Sequence, residues 1–388
     1  MDVLKVSGPY TYAPGFNMQY QAQPMHIYPE ATPQPYQDLP DPKEVSVTLT
    51  HHYLRIRTRG GIEGLYGYID PETISPILQQ LTPLLLGEDA MAVEKIWDKL
   101  YRSNRHSRAG HYMMALSAVD NALWDVRGRY FGVPVYQLLG GPTRKEVPIY
   151  GSCLGYSAEP GKAGPRAKQL FDQGFANQKW FLPYGPGSGN KGLELNINLV
   201  KELREALGWE AQLMFDAFMG WDLPYALAWT KAVEAFRPYF IEEAFPPNRL
   251  ENYVRLSQST TIPVATGEHF YNRWEVQEFL DAGAIQIVQA DPEWCGGVSE
   301  LIKICHLASS HGLQVIPHGH NVHAALHVVA SQSPETCPMS ESLLLHVPGK
   351  LHFQKDPLLS DTGLIPLRET PGFGIELDTS KIERQEIL

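Results

Sequence analysis

From Val147 onward this chain repeats a pattern that few folds can absorb: a short β-like run, then a helical stretch, eight times in succession. The runs are VPIYGS, ANQKWFL, QLMFDA, YFIEEAF, IPVATGE, AIQIVQAD, LQVIPHG and a weaker one near Ser340–Leu345. Each run is separated from the next by the length of one β/α unit. Strands alternating with helices imply a parallel sheet with right-handed crossovers, and eight such units close into a (β/α)₈ barrel. The barrel is expected over residues 146–359. At 388 residues the chain exceeds the roughly 250 that a barrel needs, so a second, smaller domain is required.

That domain is expected over residues 1–145, as an α+β unit. Residues 1–45 are rich in Tyr, Pro and Gln and read as an irregular arm held by its aromatics. Val45 to Ile69 alternates as strands do, with Gly60-Gly61 at a hairpin turn. Helices are expected near 88–103 and 110–131, the second with Met114, Ala118, Ala122 and Val126 on one face before Gly132 and Pro134 end it. The tail, 360–388, carries no further β/α unit and is expected to complete the N-terminal domain.

Composition removes several classes of function. With 32 basic and 43 acidic residues the net charge is −11, and no basic face for nucleic acid is expected. Cys153, Cys295, Cys305 and Cys337 form no CxxC pair, which suits reduced thiols in a cytoplasmic protein. No apolar run of about 18 residues suggests a membrane span, so no membrane partner is expected.

The ends of the β-like runs carry Asp216, Glu242-Glu243, Glu268-His269, Asp291 and His318. Successive steps from Asp216 through Glu242, Glu268 and Asp291 to His318 are 26, 26, 23 and 27 residues, each about one β/α repeat. In this fold catalytic groups come from successive strand ends at one mouth. Three carboxylates meeting there raise one another's pKa, a conflict that a hard divalent cation resolves. Oxygen-only ligation favours Mg²⁺ over zinc.

The segments FDAF, IEEAF, TGEH, QADPEWCGG and IPHGH, with SAVDNALWDVRGRYFGVPVYQLLGG in the first domain, resemble the mandelate racemase group of the enolase superfamily. Within it, CGG after the sixth strand and PHG after the seventh look most like L-rhamnonate dehydratases and related acid-sugar dehydratases. The resemblance makes the first domain a capping domain and Asp216, Glu242 and Glu268 the Mg²⁺ ligands. It makes His318 the general base, oriented by Asp291. Glu341 aligns with a family Glu that donates, protonated, to the substrate carboxylate. His269 is expected either to touch a substrate oxygen or to tune Glu268, while His320 and His323 are expected to be structural.

The second strand departs from the racemases. Where they carry Lys-x-Lys this chain has Lys179-Trp180-Phe181, so Lys179 is retained and Phe181 replaces the second base. Phenylalanine accepts no proton, which favours dehydration by one His over two-base racemisation. Substrate contacts are expected from Trp180, from Arg105 in the segment Arg102–Arg108, and from Tyr10, Tyr12 and Tyr20 of the arm. GPGSG at 185–189 reads as a flexible connector. The implied partner is a small acid-sugar substrate, in a homo-oligomer. Alternatives are an epimerase or cycloisomerase of the same superfamily, a non-catalytic sugar-acid binder and, more remotely, a metallohydrolase.

Overall fold

The computed structural model describes residues 1–13, 21–32 and 44–388. The first surprise is at the start. Asp2–Tyr12 is not an irregular arm but a strand, β1, paired along its whole length with β2 (Val45–Arg57). Pro9 masks the strand pattern in the sequence. Odd-numbered residues of β1 turn their amides toward the C-terminal strand, and Pro9 lies past the stretch that this strand covers. A missing N–H there breaks no ladder. The hairpin continues into β3 (Glu63–Gly67), with Gly61 at φ +84° in the turn.

The expected helices are Val93–Ser103 and His111–Phe131, the second closed by Gly132 in a left-handed C-cap. The second packs against the antiparallel sheet, and the first packs against the second.

The barrel follows. Its strands are β4 (Glu146–Ser152), β5 (Asn177–Phe181), β6 (Gln212–Asp216), β7 (Phe240–Glu242), β8 (Val264–Thr266), β9 (Ile287–Val288), β10 (Gln314–Val315) and β11 (Ser340–Leu343). All are parallel and in chain order, and β11 pairs with β4. Backbone bonds from Val315 to Thr336 and from Glu341 to Pro317 join the seventh and eighth segments. This is the expected (β/α)₈ barrel with an α+β capping domain. In the tail, β12 (Leu364–Pro366) adds antiparallel to β4, and β13 (Arg384–Ile387) adds to β1.

GPGSG is not a loose connector. Pro186–Ser188 forms a 3₁₀ turn, and a Cβ on Gly187 would collide with the carbonyl of His26 from the N-terminal segment. Among the described residues no helix is long and apolar enough to cross a membrane.

Candidate active site

Side-chain parity builds the site in two layers. Tyr150, Met214, Phe240, Ala265, Ile287, Ile316 and Met339 fill the barrel as an apolar plug. Two residues further on, the period of a strand brings Ser152, Asp216, Glu242, Gln289, His318 and Glu341 to the same inner face, one level up. Lys179 enters from β5, and Glu268 arrives from the loop after β8, where Gly267 turns the chain at φ +126°. All of these polar groups are buried.

Lys179 sits inside a ring of carboxylates. Its Nζ is 2.6 Å from Glu242, 2.9 Å from Glu341 and 3.2 Å from Asp216. Burial works against its charge, but Glu242 and Glu341 outweigh it and hold the ammonium firmly protonated. Burial lifts the Glu242 carboxyl well above its ordinary range, and Asp216, its register partner, lifts it further. Asp216 is likewise raised by burial, against the pull of Lys179, with Glu268 adding to the rise. One ammonium does not balance this much buried negative charge.

Those residues fit a hard divalent cation. Asp216, Glu242 and Glu268 supply only oxygen donors, and a cation would relieve the repulsion just described. By ligand-atom spacing the grouping found among the described residues is a different one, Glu243, Glu268 and His269, whose ligand atoms lie within 4.8 Å of one another. There, however, the Nδ1 of His269 is already engaged by Glu243 at 2.8 Å. By donor chemistry alone, an all-oxygen set suits magnesium better than one that includes an imidazole.

Two imidazole–carboxylate pairs face the ring. His318 Nδ1 lies 2.6 Å from Asp291 Oδ2, and Asp291 Oδ1 accepts the Glu293 amide at 2.7 Å. When the ring is neutral, Nδ1–H donates to the carboxylate and Nε2 carries the lone pair, 3.6 Å from Glu268 and 4.0 Å from Glu341. Burial alone would lower the His318 pKa, but Glu268 and the Asp291 hydrogen bond outweigh it and raise it to about 9. His269 is similar in its balance: burial lowers it, Glu243 outweighs burial, and the result is about 9. Glu243 itself is pushed up to about 7 by burial and by Glu268.

Glu341 corrects an expectation. Burial favours its neutral form, yet Lys179 and then His318 outweigh burial and hold it at about 2. Its Oε2 accepts the Gly319 amide at 2.9 Å. It is a carboxylate acceptor here, not the protonated donor the resemblance implied.

Trp180 and Arg105 lie elsewhere. Trp180 alternates to the outer face of β5, fully buried, with its indole N–H donating to Gln178 at 3.1 Å. Gln178 in turn donates to Ala167 and Phe175, toward the helical layer, so Trp180 points away from the site. Arg105 is exposed and bonded to His106. Arg102 pairs with Asp98, and Arg108 stacks on Tyr101. Tyr10 and Tyr12 pack edge to face at 4.8 Å, with Tyr10 against His352. Tyr20 lies outside the described residues.

Several site residues were missed. Gln289 donates to Glu242 at 2.6 Å, and its position two residues before Asp291 was the available signal. Glu243 was visible only as the second half of a doublet. Trp294 places its ring 5.0 Å from His318, 5.0 Å from His320 and 5.6 Å from His269. His320 bonds Asp70 and Tyr68 of the capping domain, both at 3.1 Å, which no sequence pattern announced. His323 is buried and bonded to Asn321.

Residues 163–381 match the enolase C-terminal domain-like family, and residues 37–140 match the mandelate racemase / muconate lactonizing enzyme N-terminal domain. The L-rhamnonate dehydratase of Saccharopolyspora erythraea is 36% identical over 309 residues, covering 77% of this chain and 76% of that protein. A crystal structure of rhamnonate dehydratase from Gibberella zeae complexed with Mg superposes with TM-score 0.80 at 23% identity, over 97% of this chain and 94% of that one. The 3,6-anhydro-D-galactonate cycloisomerase of Zobellia galactanivorans gives TM-score 0.74 at 25% identity, over 97% and 98%. With both halves of the architecture matched, the chain belongs to the enolase superfamily, in its mandelate racemase / muconate lactonizing enzyme group.

Proposed function

We propose that the chain is a Mg²⁺-dependent dehydratase that takes the α-proton of a sugar acid and expels the β-hydroxyl as water, giving a 2-keto-3-deoxy sugar acid. Asp216, Glu242 and Glu268 would hold the cation. When bound, it supplies positive charge where deprotonation beside a carboxylate builds negative charge. The observation that carries the reading is the placement of the His318 Nε2 lone pair beside that carboxylate ring, with Asp291 fixed at 2.6 Å on the opposite nitrogen.

Each remaining step belongs to residues of this chain. His318 accepts the α-proton at Nε2, and Asp291 stabilises the imidazolium so formed. The same imidazolium then gives its proton to the departing hydroxyl on the same face. Lys179, clasped by three carboxylates, is no free base, and Phe181 beside it accepts no proton. Proton exchange on both faces of the α-carbon by a His/Lys pair therefore lacks its second member. The curated relative named L-rhamnonate dehydratase supports a sugar acid of that kind.

The test is a panel of mono- and diacid sugars, L-rhamnonate included, incubated with the enzyme and Mg²⁺. A semicarbazide-reactive product is expected, lost in His318→Asn and in Glu268→Gln. Solvent deuterium entering unreacted substrate without ketoacid would instead assign an isomerase.

A further inference from the structure

Asp291 does not hold its position through the barrel alone. It opens a turn, Asp291–Gly297, whose Trp294 and Cys295 amides donate back to the Asp291 carbonyl at 2.9 and 2.8 Å. That turn leads into the helix Val298–Ser310, whose N-cap residue is Gly297 and offers no side-chain acceptor. The free amides at the helix start are capped from the other domain instead. Val298 N–H donates to Asn121 Oδ1 at 3.0 Å, and Ser299 N–H donates to Asp120 Oδ2 at 2.9 Å. Asn121 also donates from Nδ2 to the carbonyl of Pro292 at 3.0 Å. One side chain thus grips both ends of the turn. Ser117, one helical turn earlier, accepts the Gly296 amide at 2.8 Å. The glycines make this approach possible, since a Cβ on Gly297 would collide with the Asp120 carboxylate.

We infer that Asn121 is a positioning residue: the capping-domain helix His111–Phe131, through Asn121, sets the orientation of Asp291 and hence of the His318 ring. The inference rests on the reading of His318 as the proton acceptor. Asn121 touches neither the ring nor the carboxylates of the site, and it acts only through the turn. A buried amide clamping two backbone groups across a six-residue span restricts the turn more than packing does, because both bonds are directional. A small rotation of Asp291 moves the Nε2 lone pair off the line of proton transfer.

The experiment compares wild type, Asn121→Ala and Asp125→Asn as Mg²⁺-loaded full-length enzymes. Asp125 lies on the same helix but accepts the amides of Leu65 and Phe373, not the turn, and so controls for general loss of stability. Two readouts are taken: steady-state turnover of L-rhamnonate, or of the panel acid it turns over best, and the low-field proton resonance of the His318–Asp291 hydrogen bond. Asn121→Ala is expected to lower kcat by about 10- to 100-fold with KM within about twofold, and to shift or broaden that resonance. Asp125→Asn is expected to leave the resonance in place. If Asn121→Ala does not accumulate as folded protein, Asn121→Asp, which keeps the acceptor for Val298 and loses the donor to Pro292, is judged by the same criteria. A resonance unchanged by loss of Asn121 overturns the inference whatever turnover does. Full turnover in His318→Asn overturns the functional reading instead, and leaves the resonance as an independent measure of positioning.

Discussion

The two imidazole–carboxylate pairs at the barrel mouth have the same chemistry and different anchorage. His318 is buried, and its partner Asp291 accepts a backbone amide within a turn held by the capping domain. His269 is more open, with 28% of its side chain exposed, against 11% for His318. Its partner Glu243 sits at φ +41°, and its Oε2 has no hydrogen-bond partner among the described residues. One pair is fixed on both oxygens and the other on one. A base that must meet one proton in one place suits the first arrangement, whereas a group that contacts substrate oxygens tolerates the second.

The largest effect should separate the two rings. His318→Asn is expected to reduce kcat for ketoacid formation about 1,000-fold or more, and His269→Asn by about 10- to 100-fold. Equal losses would break the comparison. The partners should follow in the same order, with Asp291→Asn costing about 100-fold and Glu243→Gln about tenfold in kcat. Both are read from steady-state rates at saturating Mg²⁺.

Lys179 tests the charge ring that both pairs share. Lys179→Met leaves buried carboxylates without their counter-ion, a loss of about 3–5 kcal/mol in unfolding free energy. Added Mg²⁺ is expected to restore part of it, visible as a cation-dependent rise in Tm larger than that of wild type. A variant as stable as wild type without Mg²⁺ would show that the ring is not under electrostatic load.

The smallest effect concerns the anchorage itself. Burial pushes the Asp120 carboxyl up to about 7, against hydrogen bonds from Ser299 that pull it down. A folded pKa above the unfolded value means that the protonated folded form is favoured. This contribution is present below about pH 4, the ordinary Asp range, and is lost as pH rises toward 7. Asp120→Asn cannot ionise, so its Tm should match wild type near pH 4 and exceed it increasingly up to pH 7. A constant difference across that range would place the charge elsewhere.

The barrel was legible because its signal is repetitive: eight short runs at β/α spacing, with Asp216, Glu242 and His318 near run ends at inward parity. Asp216, Glu242, Asp291 and His318 could be placed from number alone because a strand's period leaves no choice of face once the apolar layer is known. Trp180, one residue out of phase with Lys179, faces outward by the same rule. The strand Asp2–Tyr12 was hidden by Pro9, which is harmless only because of where the partner strand begins. The ionised state of Glu341 was not legible, since it depends on Lys179 arriving from a strand 162 residues away. Asn121 and the pair Tyr68 and Asp70 were invisible for a similar reason: their partners lie on the other domain, and no spacing within a sequence encodes that approach.

The most direct test of the account is the release of label from the α-carbon. A sugar acid carrying tritium at C2 is incubated with Mg²⁺ and each His variant, and tritium reaching solvent is counted. His318→Asn is expected to release none above background, while His269→Asn still releases it at a reduced rate. Release that survives in His318→Asn and vanishes in His269→Asn would assign proton abstraction to the other pair and contradict the account.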